Sequence, residues 1–260
     1  MKNKRTMLDI AARIARGADR LLNGIIAVMI AAALLYGGFG LWDTWQIYKG
    51  AEVDSELLKY KPVLDPEGDG SNPTLSELME VNPDVCAWLT IDGTNIDYPV
   101  VQGDTNMDYI NKDVYGEFSL SGSVFLDSTN GRDFLDHYSL IYAHHMEGNV
   151  MFGELPDFME QAYFYGRTGG TLFLPDRTCR IEIFACLYTD AYDPAVFDPV
   201  GGNGEAAQAE LLEYLKRESV QYREIGVTAS DRILGLSTCS EASTNGRVLL
   251  FGRLCDYGED

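Results

Sequence analysis

The apolar positions of the chain fall into two regions with different patterns. Residues 21–42 include no charged side chain, and a helix of that length, rising roughly 1.5 Å per residue, can cross a hydrocarbon core of about 30 Å. Beyond Asn82, short apolar runs alternate with turn-forming residues, a pattern typical of strands. The sequence therefore predicts an N-terminal membrane-spanning helix followed by a β-rich domain.

The charges on either side of the apolar helix predict its orientation. The first 20 residues carry six basic and two acidic side chains, and Asp43 follows the apolar segment. By the positive-inside rule, we expect a single-pass protein of the cell membrane with a cytoplasmic N-terminus and an extracellular domain. A cleavable signal peptide is the alternative, since Ala31-Ala32-Ala33 offers small residues. The apolar segment is longer than a usual signal-peptide core, however, and favours an uncleaved signal-anchor.

These patterns predict four segments in chain order: a basic cytoplasmic tail at 1–20, a transmembrane signal-anchor at 21–42, a stalk and linker at 43–73, and an extracellular domain at 74–260. The stalk is expected to be helical, and its Pro, Gly and Asp content rises after Lys61-Pro62. Thr74-Leu75-Ser76-Glu77 has the form of a capping box, so a short helix is predicted to begin there.

Eight apolar runs after residue 82 are predicted to be strands. They cover residues 87–91, 96–101, 123–126, 139–143, 171–174, 180–187, 233–236 and 247–254. Short strands with this turn punctuation favour a closed or nearly closed barrel over a βαβ sheet. Helices are predicted near residues 151–155 and from Glu205 to about Glu218, where three leucines form an apolar stripe. The expected fold class is mainly β with added helices.

The charge distribution argues against a nucleic-acid partner. The chain has a formal net charge of −20, and because residues 1–20 carry +4, residues 21–260 carry −24. A phosphate binder needs a basic face, which such a domain lacks. A strongly acidic exterior instead favours solubility and amine-bearing or cationic partners.

The best candidate for a reactive group is Cys239. The strand that precedes it and the strand that begins at Arg247 are joined by a short polar loop, so they are expected to pair antiparallel and bring these two residues together. A thiol beside a guanidinium is a favourable place for a thiolate, the reactive form of cysteine. The alternative is a small buried cysteine next to a solvated arginine.

The remaining histidines and cysteines indicate which side chains could act together with Cys239. Among the three histidines, His144 ends a predicted strand as Cys239 does, where a barrel rim can gather distant side chains. A metal site at His144-His145 is disfavoured, because neighbours on a strand point to opposite faces, and we expect no metal ion and no cofactor. Five cysteines leave an odd one in an extracellular domain, as expected for a free thiol. Whether Cys179 and Cys255 pair is left open.

Several motifs then match a known family. Leu236-Ser237-Thr238-Cys239 followed by Gly246-Arg247 resembles the active-site signature of sortases, the cysteine transpeptidases of Gram-positive cell surfaces. Tyr142-Ala143-His144-His145-Met146 resembles the histidine motif of class B sortases. Further class B segments follow the same order: Asn82-Pro83-Asp84, Trp88-Leu89, the stretch from Gly93 to Gln102, and Met151-Phe152-Gly153. The likeness covers residues 75–255, and the N-terminal apolar helix fits the family.

The resemblance implies an eight-stranded sortase β-barrel, with helices at its N-terminus and between its sixth and seventh strands. It implies that Cys239 is the nucleophile, His144 the general acid/base and Arg247 the third catalytic residue. The residues expected to bind substrate are Asn106, Ile110, Tyr142, Ser237 and Thr238. Three positions depart from the family pattern without removing a catalytic group: Ala143, His145 and Ser240, the last standing where class B members often have an acid.

The activity implied is cleavage of a C-terminal sorting signal of secreted proteins after Thr, through an acyl-enzyme on Cys239. The acyl group would pass to an amine of a peptidoglycan precursor or of a pilin lysine. Two alternatives are open at this point: a secreted cysteine hydrolase that uses the same residues, and a membrane-anchored binding module without catalysis.

Overall fold

A computed structural model of the chain describes residues 2–51, 53–65, 70–146, 148–199, 204–239 and 245–257. The chain forms two compact units, Met1–Ile47 and Tyr48–Asp260. The first unit belongs to helix α1 (Lys2–Ala51). From Ala12 onward this helix is long and apolar enough to cross a membrane, with a mean hydropathy of 2.1 in its apolar window and none of that window buried; a signal sequence has the same properties.

The second unit is mainly β. Its described residues form nine strands, three α-helices and two 3₁₀ helices at Leu58–Tyr60 and Leu155–Met159. In chain order the α-helices and strands are α2 (Pro73–Val81), β1 (Val85–Ile91), β2 (Asp97–Val101), β3 (Val124–Leu126), β4 (Tyr138–Tyr142), α3 (Gln161–Gly166), β5 (Gly169–Phe173), β6 (Thr178–Asp190), α4 (Glu205–Glu218), β7 (Gln221–Tyr222), β8 (Arg232–Cys239) and β9 (Gly246–Asp256).

Eight of the strands close into a barrel. They neighbour one another in the order β5-β1-β2-β3-β4-β8-β9-β6, and β6 pairs back with β5. The predicted eight-stranded barrel is therefore confirmed. The ninth strand, β7, is two residues long and lies beside β6. Two neighbouring pairs, β2–β3 and β4–β8, are parallel, and the other barrel pairs are antiparallel.

Strand β9 shows why the strand segments are continuous apolar runs and do not alternate between apolar and polar residues. Val248 and Leu250 lie in the cluster that fills the barrel, whereas Leu249 and Phe251 lie in a second cluster. The second cluster includes Leu211 and Leu215 of α4, which covers this face of the barrel. A strand buried on both faces carries few polar positions. Burying one such leucine contributes about 1.5–3 kcal/mol.

The predicted bounds are correct for one helix and displaced for another. Helix α4 spans Glu205–Glu218, as predicted, and lies between the sixth and seventh barrel strands. The helix predicted at 151–155 is displaced: Met151 has a φ of 51° and pairs with His145, and the 3₁₀ turn begins only at Leu155. A positive φ is incompatible with a right-handed helix, so the helical turn starts later.

The capping box predicted for α2 is wrong, although the helix exists. The helix starts at Pro73, whose fixed φ suits the first helical position, and Asn72 is the N-cap residue. The side chain of Asn72 makes no capping bond. It donates instead to the backbone oxygen of Leu174 at 2.7 Å and to Thr178 Oγ1 at 3.0 Å, and so ties the start of α2 to the barrel.

The last residue of α1 and part of the segment between α1 and α2 pack against the barrel. Ala51 is 1% exposed and belongs to the barrel-filling cluster, and Leu57 packs with Leu75 and Leu78 of α2 and with Trp88 of β1. Within the expected stalk and linker, these two residues are therefore part of the hydrophobic core of the second unit.

Cys179 and Cys255 do not form a disulfide, and Cys86 and Cys186 are also free thiols. The register of β6 and β9 explains this. Cys179 lies opposite Asp256, and Cys255 lies opposite Arg180, so the two cysteines are one residue out of register. Residues offset by one along paired strands point to opposite faces of the sheet.

Candidate active site

The end of β8 and the start of β9 bring together Cys239 and Arg247, the two residues of the cysteine motif that were expected to meet. Cys239 is the last residue of β8, and its backbone lies directly opposite that of Arg247 at the start of β9. Residues opposite one another in an antiparallel pair have Cα atoms about 4.5–5.5 Å apart. The predicted juxtaposition of these two backbones is confirmed. The side chain of Cys239 and residues 240–244, including Ser240, lie outside the part of the chain that the structure describes.

His144 is brought to the same end of the barrel by the parallel pairing of β4 with β8. In this pair Tyr142 lies opposite Ser237, and two further bonds extend the contact beyond the end of β4. Ala143 N donates to the backbone oxygen of Ser237 at 3.2 Å, and Thr238 Oγ1 donates to the backbone oxygen of Ala143 at 3.0 Å. Parallel neighbours end at the same edge, so His144 emerges beside the end of β8.

The His144 ring is held from the opposite wall of the site. Its Nε2 lies 3.1 Å from the backbone oxygen of Ile110, on the long connection between β2 and β3. A carbonyl oxygen only accepts, so Nε2 carries the proton in this arrangement. The ring is partly exposed.

Arg247 lines the same groove as His144, and no described carboxylate is paired with its guanidinium. Its Nη1 donates to the backbone oxygen of Gly246 at 3.0 Å, and within the described residues it joins no ion pair. Arg253 of the same strand is different, because its guanidinium bonds to Glu182. Six residues of strand place the two arginines about 20 Å apart, so only Arg247 belongs to this site.

A groove of about 510 Å³ joins these groups. It is lined by Asn106, Met107, Ile110, Phe125, Tyr142, Ala143, His144, Ala191, Phe197, Ser237, Thr238 and Arg247. The five residues expected to bind substrate are therefore collected in one groove with the expected acid/base and the expected guanidinium. Sequences far apart in the chain supply its walls: the β2–β3 connection, the end of β4, the segment after β6, and the ends of β8 and β9.

The sequence predicted Ile110 and Tyr142 in this groove but not the apolar and aromatic side chains beside them. Tyr142 has Phe125 on one side, with ring centroids 5.4 Å apart, and Phe197 on the other, stacked at 6.5 Å with an interplanar angle of 13°. Met107, 71% exposed, lies on the rim. Phe197 lies in an irregular segment after β6, where no periodicity marks it as a lining residue. A peptide with apolar side chains would find complementary surface here.

Ser237 and Thr238 serve the framework of the groove as well as its surface. Each is only 2% exposed, and the Thr238 hydroxyl is used in the bond to Ala143. Their expected role in substrate binding remains a prediction. Their observed role is to join the histidine segment to β8.

Three of the other thiols are unsuited to nucleophilic chemistry. Burial raises the pKa of Cys86, Cys179 and Cys186 to about 12, so these thiols stay protonated near neutral pH. For Cys179 a bond to Asp256 adds to the effect. Among the described residues, no group of three or more His, Cys, Asp or Glu side chains could hold a metal ion.

The chain is similar to proteins of one family over most of its barrel unit. Sortase B of Listeria monocytogenes is 31% identical over 184 residues, which is 69% of this chain and 73% of that protein. The chain belongs to the class B sortase family. It is a sortase-type cysteine transpeptidase, since that is the activity of the family.

Solved structures agree with the fold of this sortase. A class B sortase of Streptococcus pyogenes involved in pilus biogenesis is 49% identical, with a TM-score of 0.65 over 69% of this chain and 97% of that one. A Staphylococcus aureus sortase B–substrate complex is 29% identical, with a TM-score of 0.67 over 72% of this chain and 87% of that one. No protein-family model matches the chain.

Proposed function

We propose that this sortase cleaves a C-terminal sorting signal of secreted proteins after Thr and transfers the acyl group to an amine. The observation that carries the proposal is the single groove that collects His144, Arg247 and the end of β8 at Cys239. The sortase B–substrate complex of S. aureus supports binding of a substrate peptide by this chain.

The reaction follows from the chemistry of the three residues. The Cys239 thiolate attacks the threonyl carbonyl carbon, and the new oxyanion is stabilised by the Arg247 guanidinium. The C–N bond then breaks as His144, acting as an imidazolium, gives one proton to the departing amine, which leaves a thioester on Cys239 and a neutral imidazole. An incoming amine attacks the thioester, loses its proton to His144, and expels the thiolate. The second step restores the starting protonation states.

We infer that the acceptor is a lysine amine of a pilin rather than a peptidoglycan precursor. The S. pyogenes class B sortase involved in pilus biogenesis is 49% identical to this chain, against 29% for the S. aureus enzyme and 31% for the L. monocytogenes enzyme. The acidic charge of residues 21–260 favours a cationic amine acceptor of either kind, so the choice rests on the identities.

The proposed location is the outer face of the cell membrane. The basic N-terminal segment before the apolar helix supports a cytoplasmic N-terminus and an extracellular barrel. Tethering to the membrane that also holds the secreted substrate raises the effective concentration of one for the other. A protease added outside intact cells should therefore cut the chain of a variant that carries a cleavage site in the 61–73 segment. Protection of that variant until the cells are lysed would contradict the orientation.

The test of the activity uses the full-length protein in detergent with a library of fluorescent peptides that contain Thr. Each peptide is offered with a lysine-bearing pilin peptide, with a peptidoglycan stem peptide, or with no amine. Mass spectrometry should find the amide product with the lysine acceptor, and the Cys239→Ala variant should form none. Equal product from this variant would contradict the nucleophile. Release of the free acid regardless of added amine would instead show the hydrolase.

A further inference from the structure

Asp127 is a buried carboxylate behind the groove that the proposed reaction does not use. It directly follows β3 and is 4% exposed. Its backbone is fixed on both sides, since its N–H donates to the backbone oxygen of Leu140 at 2.8 Å and its carbonyl accepts from Gln102 Nε2 at 2.8 Å. A buried carboxylate is retained in a fold when hydrogen-bond donors compensate its lost hydration.

The donors to Asp127 divide between its two oxygens. Oδ1 accepts from Thr129 N at 2.9 Å and from Thr129 Oγ1 at 2.6 Å, and these bonds close a local turn. Oδ2 accepts from Asn106 Nδ2 at 2.8 Å and from Tyr142 Oη at 3.0 Å. Both partners of Oδ2 line the groove, and both come from other parts of the chain. One oxygen therefore serves the turn and the other serves the site.

These bonds decide what Tyr142 can offer to a peptide. Burial raises the pKa of the Tyr142 phenol, and the Asp127 carboxylate raises it further, so the hydroxyl stays protonated. Its hydrogen is directed to Asp127, and the lone pairs of the oxygen are what remains for the groove. The flanking rings of Phe125 and Phe197 restrict the rotation of the phenol ring.

The Asn106 side chain is also held in one orientation, but it offers a donor where Tyr142 offers an acceptor. Its Oδ1 accepts from Ser128 N at 2.7 Å, and one hydrogen of Nδ2 goes to Asp127, so the amide cannot flip without losing both bonds. The second hydrogen of Nδ2 is the group left to donate. Because Nδ2 and the Tyr142 oxygen bond to the same carboxylate oxygen, they lie within about 6 Å of one another.

We propose that Asp127 is a positioning residue that presents a fixed acceptor on Tyr142 and a fixed donor on Asn106 to the sorting peptide. The pair selects a stretch of peptide that carries both an N–H and a C=O at this wall, as a backbone amide or a side-chain carboxamide does. This inference rests on the proposed function, since it assigns the groove to a peptide, but it concerns binding and not the transfer step.

Equilibrium binding measurements separate peptide binding from the transfer step. Library peptides are titrated against the full-length Cys239→Ala variant in detergent, where no turnover occurs, and the tightest binder is kept as the probe. Adding Asp127→Asn, which conserves volume, should weaken binding of this probe about tenfold or more, the effect of losing charge-assisted hydrogen bonds. Thr129→Val is the matched control: it removes a donor from the other oxygen and should change the affinity less than threefold.

Three further measurements distinguish positioning from a general loss of structure. In the active enzyme, Asp127→Asn should raise KM about tenfold and leave kcat and alkylation of Cys239 by iodoacetamide within twofold. The combination with Tyr142→Phe should cost no more than the larger single effect, because the two residues act as one unit. Methylating the peptide nitrogen that meets Tyr142 should weaken binding to the wild-type groove but not to Tyr142→Phe.

The proposal is overturned if Asp127→Asn leaves probe affinity unchanged, if Thr129→Val weakens it equally, or if kcat and alkylation fall as much as affinity. A library without any binder would overturn it too. If the probe binds in an Asp127-dependent way but wild-type enzyme never acylates with it, the positioning role stands and the proposed transpeptidation does not.

Discussion

The hydroxyl of Thr238 donates a hydrogen bond to the backbone oxygen of Ala143, 3.0 Å away, across the parallel pair β4–β8. Thr238 directly precedes Cys239, and Ala143 directly precedes His144. One buried bond therefore fixes the segment of the expected acid/base against the segment of the expected nucleophile. Its loss should be felt in the chemical step more than in the fold.

Thr238→Val should lower kcat about tenfold, because it conserves shape but leaves a buried carbonyl without its donor. Peptide turnover with saturating lysine acceptor measures this. Thr90→Val is the matched control, since Thr90 Oγ1 donates to the backbone oxygen of Thr171 between β1 and β5, away from the groove. An unchanged kcat in Thr238→Val, or an equal loss in Thr90→Val, would contradict the positioning argument.

Arg247→Lys should lose about a hundredfold in kcat, the size of effect seen when a donor to an oxyanion is removed. Lysine keeps the charge but cannot reproduce the planar fork of donors. Arg253→Lys on the same strand is the control, because Arg253 bonds to Glu182 and not to the site. It should keep near-normal turnover. Comparable turnover in the two variants would count against a direct role for Arg247.

A soluble fragment should begin at Tyr48 and not after the linker. Removing residues 48–60 deletes Ala51 and Leu57, which are 1% and 7% exposed. The core residues against which they pack then become exposed. The loss of the Leu57 side chain alone costs about 1.5–3 kcal/mol, or roughly 5–10 °C in Tm for a domain of this size. Differential scanning calorimetry of fragments 48–260 and 61–260 measures the difference. Equal Tm values would mean that this segment does not stabilise the barrel.

The free energy of unfolding should fall as the pH rises above 9. Burial raises the pKa of the Cys186 thiol from 9.0 to about 12, so the folded state keeps a proton that the unfolded state releases. The contribution is fully present below pH 9 and is lost between pH 9 and 12. Cys186→Ala should reduce the slope over this window by about 1.4 kcal/mol per pH unit.

Urea unfolding of the 48–260 fragment between pH 8 and 11 measures the slope. Leu187→Ala is the control, since it removes a neighbouring buried side chain that does not titrate. It should lower the free energy of unfolding by about 2–5 kcal/mol at every pH and leave the slope unchanged. A slope in Cys186→Ala equal to that of wild type would contradict the assignment.

The parts of the fold that sequence predicted are those decided by local pattern. β8, the polar loop and β9 are consecutive, so their antiparallel pairing and the meeting of Cys239 with Arg247 follow from one stretch of chain. The amphipathic leucines of α4 likewise fixed its bounds. His144 could be assigned to the site because the histidine motif resembled that of a family whose geometry is shared.

The parts that sequence did not predict depend on contacts between distant segments. Asp127 is an isolated acid after an apolar run, and nothing local reveals that Asn106 and Tyr142 converge on its Oδ2. The capping box at Thr74 failed because Pro73 suits the first helical position, while Asn72 is used to bind the barrel. Whether Cys179 and Cys255 form a disulfide could be decided only from the register of β6 with β9.

The parallel pairing of β4 with β8 has a consequence for how such an enzyme can diversify. The two strands deliver His144 and Cys239 to one rim, yet roughly ninety residues of crossover separate them, as parallel neighbours require. That crossover also carries the barrel strands β5 and β6, so its helices and loops, and not the whole crossover, can change without altering the spacing of the reacting groups. New acceptor preferences can therefore arise by exchanging these helices and loops, while the catalytic rim is inherited intact.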